Sequence, residues 1–237
     1  MWSFTYRRLA VVASAAAVLF LGPGAGADSI FLSTPSGSVD AAGEPVTATA
    51  HVVTAMNAVT VTLQNLTVNP RSIGQNISDF GFHLTNGITA ATLTSSSGKE
   101  RTVADDGTFT NGGTVSTGWV LDGDFPGFIH LNVLGTPEAP QHTILGAPDA
   151  SNVYSNAKDS IAKTGGPHNP FLAGPVSFTL SVPGVTSATS VVLTDAFFSF
   201  GTTAGNNVTA VPAPAAALGG LVLIGGLALR RALLRKS

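Results

Sequence analysis

Residues 175–182 read PVSFTLSV: Val176, Phe178, Leu180 and Val182 alternate with Ser177, Thr179 and Ser181. A period of two puts the four apolar side chains on one face of a strand and the three hydroxyls on the other. The same alternation recurs in Val59, Val61 and Leu63 against Thr60, Thr62 and Gln64, in Phe80, Phe82 and Leu84 against Gly81 and His83, and in Ile129, Leu131 and Val133 against His130 and Asn132. After Asn65 the phase slips before Leu66 and Val68 resume it, which predicts a β-bulge. Residues 190–200 predict a last long strand, with Phe197, Phe198 and Phe200 supplying bulk. On this phase His83 and His130 fall on the solvent-facing side.

Turn dipeptides punctuate these runs: Asn86-Gly87, Ser97-Gly98, Asp106-Gly107, Asn111-Gly112-Gly113, Asp122-Gly123 and Pro183-Gly184. Helical periodicity is absent except over residues 157–163, inside a loop at 137–175 rich in Pro, Gly, Asn and His. Many short strands with close turns predict an all-β fold, a β-sandwich of jelly-roll-like form. Charged residues are only 10% of the chain, well under the roughly 25% usual for globular proteins, and there is no Cys. A disulfide framework and thiolate chemistry are therefore excluded.

The ends differ from the middle. Arg7 and Arg8 precede an apolar run at 9–21, 13 residues long, followed by Gly22-Pro23-Gly24 and Ala25-Gly26-Ala27. This is the order of a secretory signal peptide over 1–27, with cleavage between Ala27 and Asp28. A retained anchor is the alternative, and Arg7-Arg8 matches a twin-arginine signal only loosely. At the other end, residues 213–229 form an uncharged run of 17 residues, and Arg230, Arg231, Arg235 and Lys236 follow. As a helix it would span roughly 25 Å, a short crossing of a hydrocarbon core of about 30 Å. The basic tail, 230–237, would stay on the cytoplasmic side and leave the body, 28–210, outside. A plain tail anchor on a proline-rich stem is the alternative.

Val211, Pro212, Ala213 and Pro214, followed by the short span and the Arg cluster, resemble a PEP-CTERM sorting signal at 211–237. The usual motif has glutamate between the prolines; Ala213 resembles the variant form with a hydrophobic residue there. The resemblance implies transient insertion in the inner membrane of a Gram-negative bacterium. It further implies processing by an exosortase, a membrane cysteine protease, in an organism that makes extracellular polysaccharide. It covers the tail and leaves the body unassigned.

Once the terminal cations are set aside, five basic residues face 13 acidic ones, leaving the body near −8. That sign argues against nucleic-acid binding. Asp105-Asp106-Gly107 and Asp122-Gly123-Asp124 are the densest acidic spots. Carboxylates so grouped could hold Ca²⁺ through Asp105, Asp106, Asp122 and Asp124; the competing reading is that Asp-Gly builds turns. No His-x-His pair, Gly-x-Ser-x-Gly elbow or phosphate-binding loop is present. Flat aromatics suited to sugars are few in the body, Trp119 and Tyr154, and Trp119 reads as core. The body is thus expected to be a structural or binding module at the cell surface or in the matrix. The alternative is an exported hydrolase or lyase acting on polysaccharide, which needs two carboxylates facing across a cleft.

Overall fold

The computed structural model describes residues 28–123, 125–186, 189–192, 195–203, 205 and 207–213. These residues form strands β1 (Asp28–Ser33), β2 (Ala48–Ala55), β3 (Ala58–Asn65), β4 (Ile77–Phe82), β5 (Thr92–Val103), β6 (Phe109–Val115) and β7 (Val120–Leu121). The series continues with β8 (Ile129–Asn132), β9 (Ile144–Leu145), β10 (Phe171–Ser181), β11 (Phe197–Phe200), β12 (Asn207–Thr209) and β13 (Val211–Pro212). The sole described helical element is a 3-10 turn at Ile73–Gln75. The molecule is all-β. Among the described residues no helix is long and apolar enough to cross a membrane; the 213–229 span falls, but for Ala213, outside them.

The strands join in the order β12-β11-β4-β9-β10-β3-β2-β1-β13, with β5 and β6 branching from β10 and β8 and β7 from β4. The alternation in the sequence sets the layering. In β3, Val59, Val61 and Leu63 are fully buried, and in β10 so are Val176, Phe178 and Leu180. They share one core with Phe80 and Phe82 of β4, Leu131 of β8, and Phe198 and Phe200 of β11. The joined strands therefore pack in a sandwich-like way around a common interior. Trp119 is buried there, its ring 5.2 Å from Phe178, and its indole N–H donates to His142 O at 2.9 Å.

β10 ties the arrangement together. Its first part, Leu172 and Ala173, pairs in parallel with β9; its second part, from Val176, pairs antiparallel with β3. Both parts pair with β5, whose register shifts between Ala173 and Ser177. Gly174 sits in that break with φ +75°, a backbone state that L side chains adopt only at a cost.

The structure corrects several expectations. No bulge follows Asn65; β3 ends there, and Leu66 and Val68 are exposed. The Asn65 side chain turns inward instead, donating to Gln75 O and Ile144 O and accepting from Thr67 N–H. Ser97-Gly98 and Asn111-Gly112-Gly113 lie inside β5 and β6, not at turns. Gly98 is small because a Cβ would meet Leu172 at 3.0 Å. Residues 157–163 form turns rather than a helix. The expected long strand at 190–200 is, among its described residues, a bridge from Leu84 to Val191 and then β11. The 137–175 loop carries β9 and builds a second core, in which Tyr154 and Ile161 pack with Val103, Leu145 and Phe171.

Candidate functional site

The outward face of β4 and its neighbours is where polar groups collect. Residues opposite one another in an antiparallel pair share a face. Asp79 lies opposite Asn132 and Ser199, and Gly81 opposite His130 and Phe197. Asp122, just beyond β7, donates its N–H to His130 O at 2.8 Å. Asp79, His130, Asn132, Ser199 and Asp122 thus come together on one surface of the sheet.

That surface is covered. His130 is only 2% exposed and Asp79 4%, which corrects the expectation of a solvent-facing His130. The period-two phase was right about the face and wrong about the solvent. The loop between β7 and β8 folds back over it, with the Phe125 ring 4.6 Å from His130 and 5.6 Å from Phe197. Phe128 lies 5.4 Å from Phe197 and 3.7 Å from the His83 ring, so His83 also has an aromatic neighbour on its polar phase. Gly81 makes room: a Cβ there would meet the Phe197 ring at 2.4 Å.

Hydrogen bonding inside this pocket is uneven. Asn132 donates to Asp122 Oδ2 at 3.0 Å and to Leu134 O at 3.1 Å, and accepts from Leu134 N–H at 2.7 Å. Ser199 Oγ donates to Asn207 Oδ1. His130 is different. Its Nε2 is 3.7 Å from Asp79 Oδ1 and its Nδ1 3.8 Å from Asp122 Oδ2. Both separations exceed hydrogen-bond length. Among the described residues, neither ring nitrogen nor Asp79 Oδ1 has a hydrogen-bond partner, although buried polar atoms rarely go without one. A cleft of about 350 Å³ opens beside the ring, lined by His130, Asp122, Phe125, Phe128, Thr89 and Ala91 among others, with no Lys or Arg among the described lining residues.

No family, curated protein or solved structure matches the chain. Asp79 and Asp122 flank the imidazole at its two nitrogens, so the ring fills the space between them. Glycoside hydrolysis needs that space, roughly 5–9 Å across, for the scissile bond and a water. Of the cluster, Asp122 and His130 line the cleft, and both ring nitrogens of His130 are enclosed.

A second histidine shows the contrast. His142, also buried, has Nδ1 3.0 Å from Thr117 O and Nε2 3.2 Å from Glu100 Oε1. Glu138 lies 3.9 Å from Nδ1. Both nitrogens are occupied, and the residue pins the long loop to β5 and to the segment before Trp119.

The acidic turns are employed locally. Asp106 accepts from Thr108 N–H at 2.9 Å and Thr108 Oγ at 2.6 Å, which holds its carboxyl below the usual range. Asp105 accepts from Thr164 N–H. Asp122 belongs to the His130 cluster, and Asp124 lies outside the described residues. Among the described residues no group of three or more His, Asp or Glu is placed to hold a metal. Asp105 and Asp106 thus share no metal-sized cluster with Asp122.

Of the residues assigned to processing, Asp28 opens β1 opposite Thr54. Val211 and Pro212 are β13, opposite Ser33 and Leu32, and Ala213 N–H donates to Phe31 O at 2.9 Å. Ala25, Ala27, Pro214, Arg230 and Arg231 lie outside the described residues. Sequence reading missed Asp79, Phe125 and Phe128. The signal available was local: Phe125-Pro126-Gly127-Phe128 places two large aromatics in a turn, where polar residues are the rule.

Proposed function

We propose that this is an exported cell-envelope or extracellular-matrix protein, sorted through its C-terminus by an exosortase, whose body is a non-enzymatic binding or structural module. The observation that carries the reading is the order of the tail: Val211-Pro212-Ala213-Pro214, an uncharged span at 213–229, then Arg230 and Arg231. The signal peptide over 1–27 supplies export, the span a transient hold in the inner membrane, and the basic end a stop on the cytoplasmic side. The body is delivered to the cell surface or the medium, where extracellular polysaccharide is a fitting partner. In finer detail, we read the body as a jelly-roll-like sandwich.

The reading of an exported hydrolase or lyase draws on Asp79 and Asp122, two carboxylates in one cluster. The imidazole between them weighs against it.

The sorting claim is tested with two epitopes, one in the body just before Val211 and one after Lys236, in cells that carry an exosortase. Export with processing leaves a surface protein whose first native residue is Asp28 and which has lost the C-terminal epitope. Retention of the C-terminal epitope on the mature protein sinks the sorting reading and makes the tail a permanent anchor.

A further inference from the structure

We infer that the notch at the break in β10 binds a carboxylate group, carried by an acidic sugar or by a small organic acid, through the Arg101 guanidinium. The inference names a ligand class for the body as a binding module and rests on that reading; it is independent of how the tail is sorted. Three observations carry it.

The first is that Arg101 is held but not neutralised. Its Nε–H donates to Asn111 Oδ1 at 2.9 Å, its Nη1 donates to the Tyr154 hydroxyl at 2.8 Å, and the guanidinium lies 4.0 Å from the centre of the Phe109 ring. All three partners are uncharged, since burial raises the Tyr154 hydroxyl above its ordinary pKa. Among the described residues no carboxylate comes within ion-pair distance of Arg101, whereas Arg71 has Glu44 at 3.0 Å. A guanidinium carries five N–H donors in a rigid fork. Two are taken, so the rest are available in an orientation already fixed, which lowers the entropy cost of binding.

The second is the notch itself. It holds about 200 Å³ and is lined by Arg101, Gln64, Gly146, Ala147, Pro148 and Gly174 among others; none of the described lining residues is acidic. The Tyr154 hydroxyl that accepts from Arg101 donates in turn to Gly146 O at 2.8 Å. The charged end of Arg101 is therefore one hydroxyl away from a wall residue. At Gly174 nothing lies within 4 Å of a Cβ built on the backbone, so the break in β10 leaves open space. The volume is below the roughly 300–1,000 Å³ of a pocket that encloses a whole ligand. It suits one functional group, with the remainder of the ligand outside.

The third is the charge around it. Lys99 and Arg101 sit opposite Ala173 and Phe171 of β10, so they share one face of β5, and Lys99 is exposed. Glu100 between them turns to the other face, where it meets His142. Asp149, which follows the wall residue Pro148, has its carboxylate engaged by the Ser151 and Val153 N–H groups and the Ser155 hydroxyl. In a body near −8, this face thus presents cations whose charge no neighbouring acid offsets. A planar carboxylate matches the planar fork with two parallel N–H···O bonds. The notch holds one cation, which offsets one negative charge and favours a carboxylate over a dianion.

The test uses the full chain in an uncharged polyoxyethylene detergent at neutral pH and low salt. The probes are acetate, glucuronate and galacturonate, with acetamide, glucose and galactose as neutral counterparts and inorganic phosphate as the more highly charged anion. The readout is the side-chain ¹⁵N signal of Arg101 during titration, assigned by its loss in Arg101→Lys. Arg71, already paired with Glu44, is the internal control. At least one carboxylate is expected to move Arg101 saturably and leave Arg71 in place, binding at least tenfold tighter than its neutral counterpart and than phosphate. Uronates tighter than acetate identify an acidic sugar as the source; acetate as tight or tighter identifies a small organic acid. Gln64→Glu, which puts a carboxylate in the wall and leaves the contacts of Arg101 intact, is expected to weaken binding at least tenfold. That variant and the wild-type comparison keep the outcome from hanging on how well Arg101→Lys folds. The inference is overturned if no carboxylate moves Arg101, if neutral counterparts or phosphate bind as tightly, if Arg71 moves in step, or if Gln64→Glu binds as the wild type does. Tail processing is read separately, so a protein that is sorted yet blind to carboxylates overturns this inference alone.

Discussion

Asn65 shows how much a single side chain can carry. It closes β3, feeds two carbonyls and receives one N–H, all in the interior. Removing the amide leaves buried backbone groups without partners, each worth about 1–3 kcal/mol. Asn65→Ala is therefore expected to lower unfolding stability by about 2–4 kcal/mol in urea titration; a loss within error of zero would mean that solvent reaches those carbonyls. Titratable residues give a second expectation. Burial holds His51 and His168 below the ordinary 6.5. The unfolded chain takes up protons near that value which the folded chain refuses, so their contribution is complete above about pH 6.5 and is lost as pH falls toward the depressed values. Asp106 and Asp149 are held below 3.8, chiefly by hydrogen bonds from Thr108 and Ser155. Their contribution is present above 3.8 and is lost as pH falls from there toward their depressed values. Unfolding midpoints should thus drop in two stages on acidification, and His51→Gln with His168→Gln should flatten the first. An equally steep first stage in that double variant would sink the assignment. At this scale the sequence was a partial guide. Trp119 was legible as core because apolar neighbours flank it. His130 was not, because alternation names a face but cannot say that a distant loop covers it.

Elements were legible where alternation was unbroken, as in β3, β8 and the second half of β10. They were misread where glycine appeared. Gly98 and Gly112 suggested turns, yet both sit within strands where a Cβ would press on Leu172 at 3.0 Å and on Glu100 at 2.9 Å. Glycine in a strand marks close approach as readily as it marks a turn. Gly174 is the case where backbone conformation itself decides. No atom lies within 4 Å of a Cβ built there, so crowding is not the issue, but its φ is +75°. The break it makes lets β10 leave β9 and join β3 while staying on β5. Gly174→Ala should cost about 1–2 kcal/mol, measured by chemical denaturation. The β-branched Gly174→Val should cost more. If the alanine variant is as stable as the parent, the backbone has relaxed and the break does not depend on glycine.

For the whole molecule, the two ends of the described body meet at one sheet edge: β13 lies against β1, which begins at Asp28. The sequence divided the chain at 210 because composition changes there. Composition could not show that Val211 and Pro212 would join the sheet, since a two-residue strand has no period to detect. On the proposed route this placement matters. The first half of the sorting strip is held by β1, its one partner among the described strands, and both residues are exposed. An enzyme that reads the strip as an extended peptide has to peel it away first. Ser33 and Val211 face each other across the pair, and directly opposed residues have Cα atoms about 4.5–5.5 Å apart, within disulfide range. The chain has no Cys of its own, so Ser33→Cys with Val211→Cys forms a bridge without a competing partner. The oxidised double variant should be exported yet processed much more slowly, and a reductant should restore the rate. Either single cysteine should behave as the parent. If the bridge forms, shown by the thiol count, and the tail is still removed at the parent rate, the enzyme acts beyond Ala213 without needing β13 free.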